Sequence, residues 1–299
     1  MYPSYLNLTQ KELKERIDRG YAILKSCTLC ARNCKVDRLA NERGFCRAGA
    51  LPVVSSYNLH FGEEPPISGD RGSGTIFFTH CSMRCCFCQN YPISQKGIGN
   101  EVSIEELSVM MLKLQERGVH NINLVTPTHF VPQIISALKI AIEKGLNIPI
   151  VYNTGGYDSL ETLKLLDGIV DIYMPDAKYG DNKDAEKYSI APNYVDANVI
   201  ALKEMHSQVG DLILNDGIAK RGILVRHLVL PNNISEPKEV LHTLHSISKD
   251  MYVSLMSQYF PCNRADEYPE LARKITKKEY EEARKEVEKL SLRGYIQEI

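Results

Sequence analysis

From Gly74 to about Cys262, short runs of β-branched and apolar residues alternate with amphipathic stretches of ten or more residues. This alternation constrains the fold more than any other feature of the chain, because it is the pattern of repeated βα units around a parallel sheet. It predicts strands over 75–78, 121–125, 148–153, 169–174, 223–230 and 252–257. Helices are predicted near 104–117, 131–144, 159–166, 194–209 and 236–249, the first opened by a capping box from Ser103 to Glu106. The same spacing in Thr9-Gln10-Lys11-Glu12, followed by Leu13, Ile17, Tyr21 and Leu24, predicts a helix running to about Lys25. A third instance, Thr276 to Glu279, opens a charged helix to Lys289. Six parallel strands suit either an open doubly wound sheet or a partial barrel, and in both the chemistry belongs at the C-terminal ends of the strands.

The chain divides on this pattern into three parts. Residues 1–73 read as a helix and a cysteine-rich, metal-binding module with little other regular structure, 74–262 as the βα barrel, and 263–299 as a C-terminal helical extension. At 299 residues and 43% apolar content the chain can bury a large core. Its 36 Lys and Arg against 37 Asp and Glu leave a net charge of −1, which gives no reason to expect nucleic acid or an anionic membrane as a partner. No apolar run approaches the ~20 residues needed to cross a bilayer. The N-terminus has no secretory pattern, so a cytoplasmic location with reduced thiols is expected.

Eight of the nine cysteines lie between Cys27 and Cys88, in two groups, with Cys262 alone. A disulfide framework belongs to short exported chains, so metal or iron–sulfur ligation is the leading reading. Directly after the first barrel strand, Cys81, Cys85 and Cys88 stand at C-x3-C-x2-C spacing, with Phe87 immediately before the third. A short loop of this kind can wrap three thiolates onto one face of a cubane. A [4Fe–4S] cluster normally takes four thiolates, so three leave one iron open to a small molecule or require a distant fourth cysteine. Buried apolar thiols or a zinc site are the plainer alternatives. Cys86 is either a spacer or a substitute ligand.

These residues resemble the radical S-adenosylmethionine (SAM) superfamily. GSGTIFFTHCSMRCCFCQNYPISQ, with CTLCARNC and GFCRAG upstream and DIYMPDAKYGD and VRHLVLPN downstream, is similar to the branch described as pyruvate formate-lyase activating enzyme-like iron–sulfur proteins. The resemblance spans roughly residues 20 to 262. It implies a partial (β/α)6 TIM-like barrel, a [4Fe–4S] cluster on Cys81, Cys85 and Cys88, and SAM chelating the fourth iron. Reductive cleavage would then give a 5′-deoxyadenosyl radical that abstracts a hydrogen atom. A protein or peptide substrate is implied, a glycyl-radical enzyme to be activated, together with a one-electron donor such as flavodoxin or ferredoxin.

Members of the family commonly carry Gly-Gly-Glu after the second strand. This chain has Thr126-Pro127-Thr128-His129 instead, so Thr126 and Thr128 take that place as cofactor contacts. Asn153 is expected at the ribose, beside Gly155 and Gly156. Asp176 and Lys178 resemble the D-x-K motif of activating enzymes, and Arg226, costly in an apolar strand unless paired, is placed near the cofactor carboxylate. Gln258 is a weaker candidate; His129 and His227 read as loop and core residues. Cys27, Cys30, Cys34 and Cys46 suffice for zinc or a closed auxiliary cluster. The basic residues among them, Lys25, Arg32, Lys35, Arg38, Arg43 and Arg47, either offset thiolate charge or form a solvated surface. No role follows for His60 or Glu63-Glu64-Pro65-Pro66, which precede the first barrel strand and are expected to fold over the barrel mouth. Two other functions compete: modification of another peptide or a small molecule on the same chassis, and a non-catalytic iron–sulfur carrier or zinc scaffold.

Overall fold

The computed structural model describes residues 1–298. Its strands are β1 (Val53–His60), β2 (Ser73–Phe78), β3 (Asn100–Glu101), β4 (Ile122–Val125), β5 (Ile150–Thr154), β6 (Ile172–Pro175), β7 (Ile213–Asn215), β8 (Ile218–Leu228), β9 (Tyr252–Met256) and β10 (Arg293–Ile296). The helices are α1 (Gln10–Leu24), α2 (Pro65–Ser68), α3 (Tyr91–Ser94), α4 (Ile104–Glu116), α5 (Val131–Glu143), α6 (Leu160–Leu166), α7 (Asn182–Ser189), α8 (Tyr194–Val209), α9 (Pro237–Ile247) and α10 (Lys277–Lys289). All six predicted strands and all seven predicted helices form. The three capping boxes close as the spacing requires, with Thr9, Ser103 and Thr276 each accepting from the backbone of a glutamate three residues on.

The six predicted strands pair in parallel in the order β2-β4-β5-β6-β8-β9. Spatial order follows chain order without a reversal. A doubly wound sheet reverses at its switch point, so this winding decides for the partial barrel. Helices cover one face, where Ile150, Tyr152, Tyr173, Ile223 and Val225 join the main core with residues of α1, α4, α5 and α8. Alternate residues point the other way. There Val151, Ile172, Met174 and Leu224 enclose Ile67 from the segment joining β1 to β2, and the Asn121 amide donates to the Ile67 carbonyl at 2.8 Å. That segment therefore plugs the inner face of the curved sheet.

Three features correct the sequence expectation. Residues 53–60 were expected to lack regular structure, yet β1 pairs antiparallel with β2 and carries β3 on its far edge. The C-terminal part is not helical alone, since β10 extends the sheet in parallel beside β9. Helix α7 forms in a stretch for which the periodicity predicted no element. β1 and β10 are largely half-exposed or exposed strands whose side chains carry little apolar signal, so their partners rather than their periodicity hold them in the sheet. Among the described residues no helix is long and apolar enough to cross a membrane.

Candidate active site

β2 delivers the chain into the cysteine loop at the C-terminal rim of the sheet, and hydrogen bonds from three segments fix that loop. The Arg84 and Cys86 amides donate to the Ser189 and Tyr188 carbonyls, while the Arg264 amide donates to the Cys86 carbonyl. Side-chain amides of Gln95 and Asn263 donate to the Cys85 carbonyl at 2.8 and 3.2 Å. Donors also face the sulfurs. The Met83 amide donates to Cys81 Sγ at 3.3 Å, and the Cys88 thiol is hydrogen-bonded to the Ser94 hydroxyl at 3.2 Å. Lys178 lies within electrostatic reach of all three thiols.

Burial raises the pKa of each of these thiols, that of Cys81 to about 12. Alone they stay protonated at neutral pH; a bound metal centre supplies the charge that ionises them. Cys86 is different. It is wholly buried, packs with Phe87, Tyr179 and Tyr259, and does not line the adjoining cavity. This supports the C-x3-C-x2-C assignment, with Cys86 as a spacer. The cavity, about 200 Å3, is lined by Cys85, Phe87, Cys88, Asp176, Lys178 and Arg226 among others.

A polar network faces the cysteine loop from the strand ends. Arg226 Nε donates to Asp176 Oδ1 at 2.9 Å and Nη2 donates to Asn153 Oδ1 at 2.7 Å, while Nη1 lies 3.5 Å from Glu63 Oε2. Lys178 pairs with the other oxygen of Asp176. Asn123 and Asn153 donate to Glu63 Oε1 at 3.0 and 3.4 Å. Burial opposes the charges of Lys178 and Arg226, but Asp176 beside them outweighs it and keeps both protonated. Burial likewise opposes the Asp176 anion, and Arg226 and Lys178 prevail, holding its carboxyl below the ordinary range. Asp176, Lys178, Asn153 and Arg226, singled out from the sequence, thus meet in one network. Glu63 and Asn123 belong to it as well. Glu63 was visible only as part of an unusual Glu-Glu-Pro-Pro run, and Asn123 carried no signal beyond being polar within an apolar strand.

The position after β4 divides. Thr126 adopts φ +58°, a left-handed conformation costly for a β-branched residue. Its amide donates to the Asn153 carbonyl at 2.8 Å. Thr128, expected to contact cofactor, faces the helix side instead. Its hydroxyl donates to Asp158 at 2.7 Å, in a buried cluster with Thr154 and Tyr152, so the tertiary partners correct that expectation. His129 and His227 are fully buried and hydrogen-bonded to the Thr79 and Ala177 carbonyls. Burial lowers their pKa values to about 3 and about 4, so both are neutral core residues. Gly156, at φ +73°, sits where a β-carbon would collide with the Asn198 amide and the Asp176 carbonyl, and the turn from β5 into α6 requires glycine there.

A wider cleft of about 530 Å3 adjoins the cavity and shares Arg226, Met256 and Gln258 with it. Together they reach the size range of small-molecule sites. Among the described residues no three His, Cys, Asp or Glu side chains lie close enough to share one metal ion. A cubane takes each thiolate on a separate iron, so one buried and two half-buried thiols spread around a loop, with donors aimed at two of them and a lysine beside them, fit a cluster.

Residues 75–244 match the Radical SAM superfamily. The chain belongs to the radical SAM superfamily. An uncharacterized protein of Methanocaldococcus jannaschii is 35% identical to this radical SAM protein over 297 residues, covering 96% of this chain and 81% of that one. The solved structure of native anSMEcpe with bound AdoMet and Cp18Cys peptide shares the fold, with a TM-score of 0.50 and 11% identity over 73% of this chain. This chain spans 60% of that protein's length. Methylornithine synthase overlaps at a TM-score of 0.49 and 17% identity, over 96% of this chain and 74% of that one. The superfamily establishes an enzyme whose cofactors, when bound, supply SAM-dependent radical chemistry at a [4Fe–4S] cluster. The chain's own contribution is a shielded cysteine loop, a fixed set of charges opposite it, and a cleft leading away from both.

Proposed function

We propose that this radical SAM enzyme abstracts a hydrogen atom from a protein partner, leaving a glycyl radical on it in the manner of an activating enzyme. In this reading Cys81, Cys85 and Cys88 ligate the [4Fe–4S] cluster and Phe87 packs beside it. Lys178, Arg226 and Asn153 contact SAM, Asp176 orients both cations, and Thr126 contributes through its backbone. The electron comes from a one-electron donor such as flavodoxin or ferredoxin. One observation carries the choice of a macromolecular substrate: the wider cleft, continuous with the cluster cavity, is flanked by Phe61 and Tyr295, which are 61% and 36% exposed. Exposed aromatic residues beside a reactive cleft suit a partner that covers them. The binding of a peptide and AdoMet together by anSMEcpe, a protein of the same fold, is in keeping with this.

The test is anaerobic reconstitution with iron and sulfide, reduction with dithionite, and addition of SAM with a glycyl-radical enzyme. 5′-Deoxyadenosine is expected to form in a manner dependent on Cys81, Cys85 and Cys88, accompanied by a persistent protein radical seen by electron paramagnetic resonance. 5′-Deoxyadenosine with a stable covalent product and no radical would redirect the reading to modification of a peptide or small molecule.

A further inference from the structure

The N-terminal cysteines sit beside the site. Cys30 forms an isolated bridge with Asp158, and the Ala31 and Ser159 amides donate across it to Tyr157 and Leu29, which docks the module on the turn after β5. Cys27, Cys30, Cys34 and Cys46 lie within electrostatic reach of one another. Backbone amides two residues on, those of Arg32 and Ala48, are directed at the sulfurs of Cys30 and Cys46, just as the Met83 amide is directed at Cys81. Such donors favour the ionised sulfur of a metal ligand.

The decisive residue is Arg38. The sequence left it open between a counter-charge to the thiolates and a solvated surface residue, and it is 1% exposed. Its guanidinium donates to the Gly49 carbonyl at 2.6 and 3.1 Å and to the His129 carbonyl at 2.6 Å, and lies 3.9 Å from Cys27 Sγ. Among the described residues no carboxylate pairs with it. A buried cation held only by neutral groups is strongly disfavoured, so an anion belongs within its reach. The group within its reach that becomes anionic is the cysteine set, and it does so on ligating a metal. Arg32 and Arg84 repeat the pattern between the two cysteine groups. They lie 3.3 and 5.3 Å from the centroid of the same Phe45 ring, and their hydrogen bonds go to backbone carbonyls, those of Ser82, Ile190, Gln95 and Phe45. Arg32 senses Cys30, Cys34 and Cys81, and Arg84 senses Cys46 and Cys81.

We propose that Cys27, Cys30, Cys34 and Cys46 hold a second iron–sulfur cluster, with Arg38 as its buried counter-charge. Four thiolates close the coordination of such a cluster as they would that of zinc, and acid-labile sulfide separates the two. The shared arginines make the two centres electrostatic neighbours, so the charge on one shifts the reduction potential of the other.

The experiment uses the full chain, reconstituted anaerobically with ferrous iron and sulfide, as wild type, C81A/C85A/C88A and C30A/C46A. The triple variant is expected to keep about half of the wild-type iron and acid-labile sulfide, and to give a reduced-cluster resonance signal with dithionite. C30A/C46A is expected to lose that half while keeping the central centre. A triple variant that carries zinc without sulfide, or no metal, would overturn the proposal. Metal and sulfide content do not depend on SAM cleavage or on any substrate, so this result stands apart from the fate of the glycyl-radical reading. In the triple-variant background, R38M should make the remaining cluster harder to reduce, and R38K should restore most of its potential. Equal potentials for the arginine, lysine and methionine forms would remove Arg38 as the counter-charge.

Discussion

Arg226 shows how one side chain serves both folding and chemistry. Its guanidinium satisfies Asp176, Asn153 and Glu63 at once, so replacing it with methionine strands two buried carboxylates. Breaking a buried pair from one side costs about 3–5 kcal/mol, and R226M should lose stability of that order in chemical denaturation. The acid limb of the stability profile belongs to Asp176. Its carboxyl titrates lower in the folded chain than in the unfolded one, so the unfolded chain takes up the proton first as pH falls. The contribution is therefore complete above about pH 4 and is lost as the pH drops towards the folded pKa. Urea midpoints from pH 7 down to pH 3 should fall less steeply for D176N than for the wild type. An unchanged slope would assign the acid limb to other groups.

Elements differ in what their loss would cost. The capping box at the start of α4 is exposed and local, and S103A should lower stability by about 1 kcal/mol without altering the site. The segment between β1 and β2 is different, because Ile67 is completely buried against the inner face of the sheet. I67A should cost about 2–5 kcal/mol, and since Glu63 lies four residues earlier in the same segment, it should also weaken SAM binding. Denaturation and calorimetric titration of the reconstituted protein separate these two effects. The capping boxes were legible because their partners lie three residues apart. The plug was not, because Ile67 finds its partners on β5, β6, β7–β8 loops and strands far along the chain, and an isolated Pro-Pro-Ile run gives no hint of which face it will cover.

For the whole molecule, ligand and fold are linked. A ligand bound only by the folded state at a hundredfold excess over its Kd adds about 2.7 kcal/mol of stability. Saturating SAM should therefore raise the melting temperature of the reconstituted enzyme by several degrees, and C85A should abolish the rise. A rise of equal size in C85A would separate SAM binding from the cluster loop. The same linkage applies across the sheet. Residues 262–264, which follow the last predicted strand, hold the cysteine loop through the Cys262 thiol on the Phe87 carbonyl, the Asn263 amide on Cys85 and the Arg264 amide on Cys86. Cys262, which stands alone in the sequence, is thus a brace of that loop.

By itself the sequence determined the six βα units, the three helix starts and the two thiol groups, because each rests on residues a few positions apart: a period, a cap or a ligand spacing. It also determined that Arg226 needed partners, since a guanidinium in an apolar strand is not tolerated alone. Which partners it found was decided by tertiary structure, and so were the single direction of strand winding, the membership of Glu63 and Asn123 in the polar network, and the turning of Thr128 towards Asp158. Arg38 marks the boundary most clearly. A basic residue among cysteines reads equally well as surface or as counter-charge, and only the packing of the N-terminal module against the turn after β5 and against His129 takes it out of water.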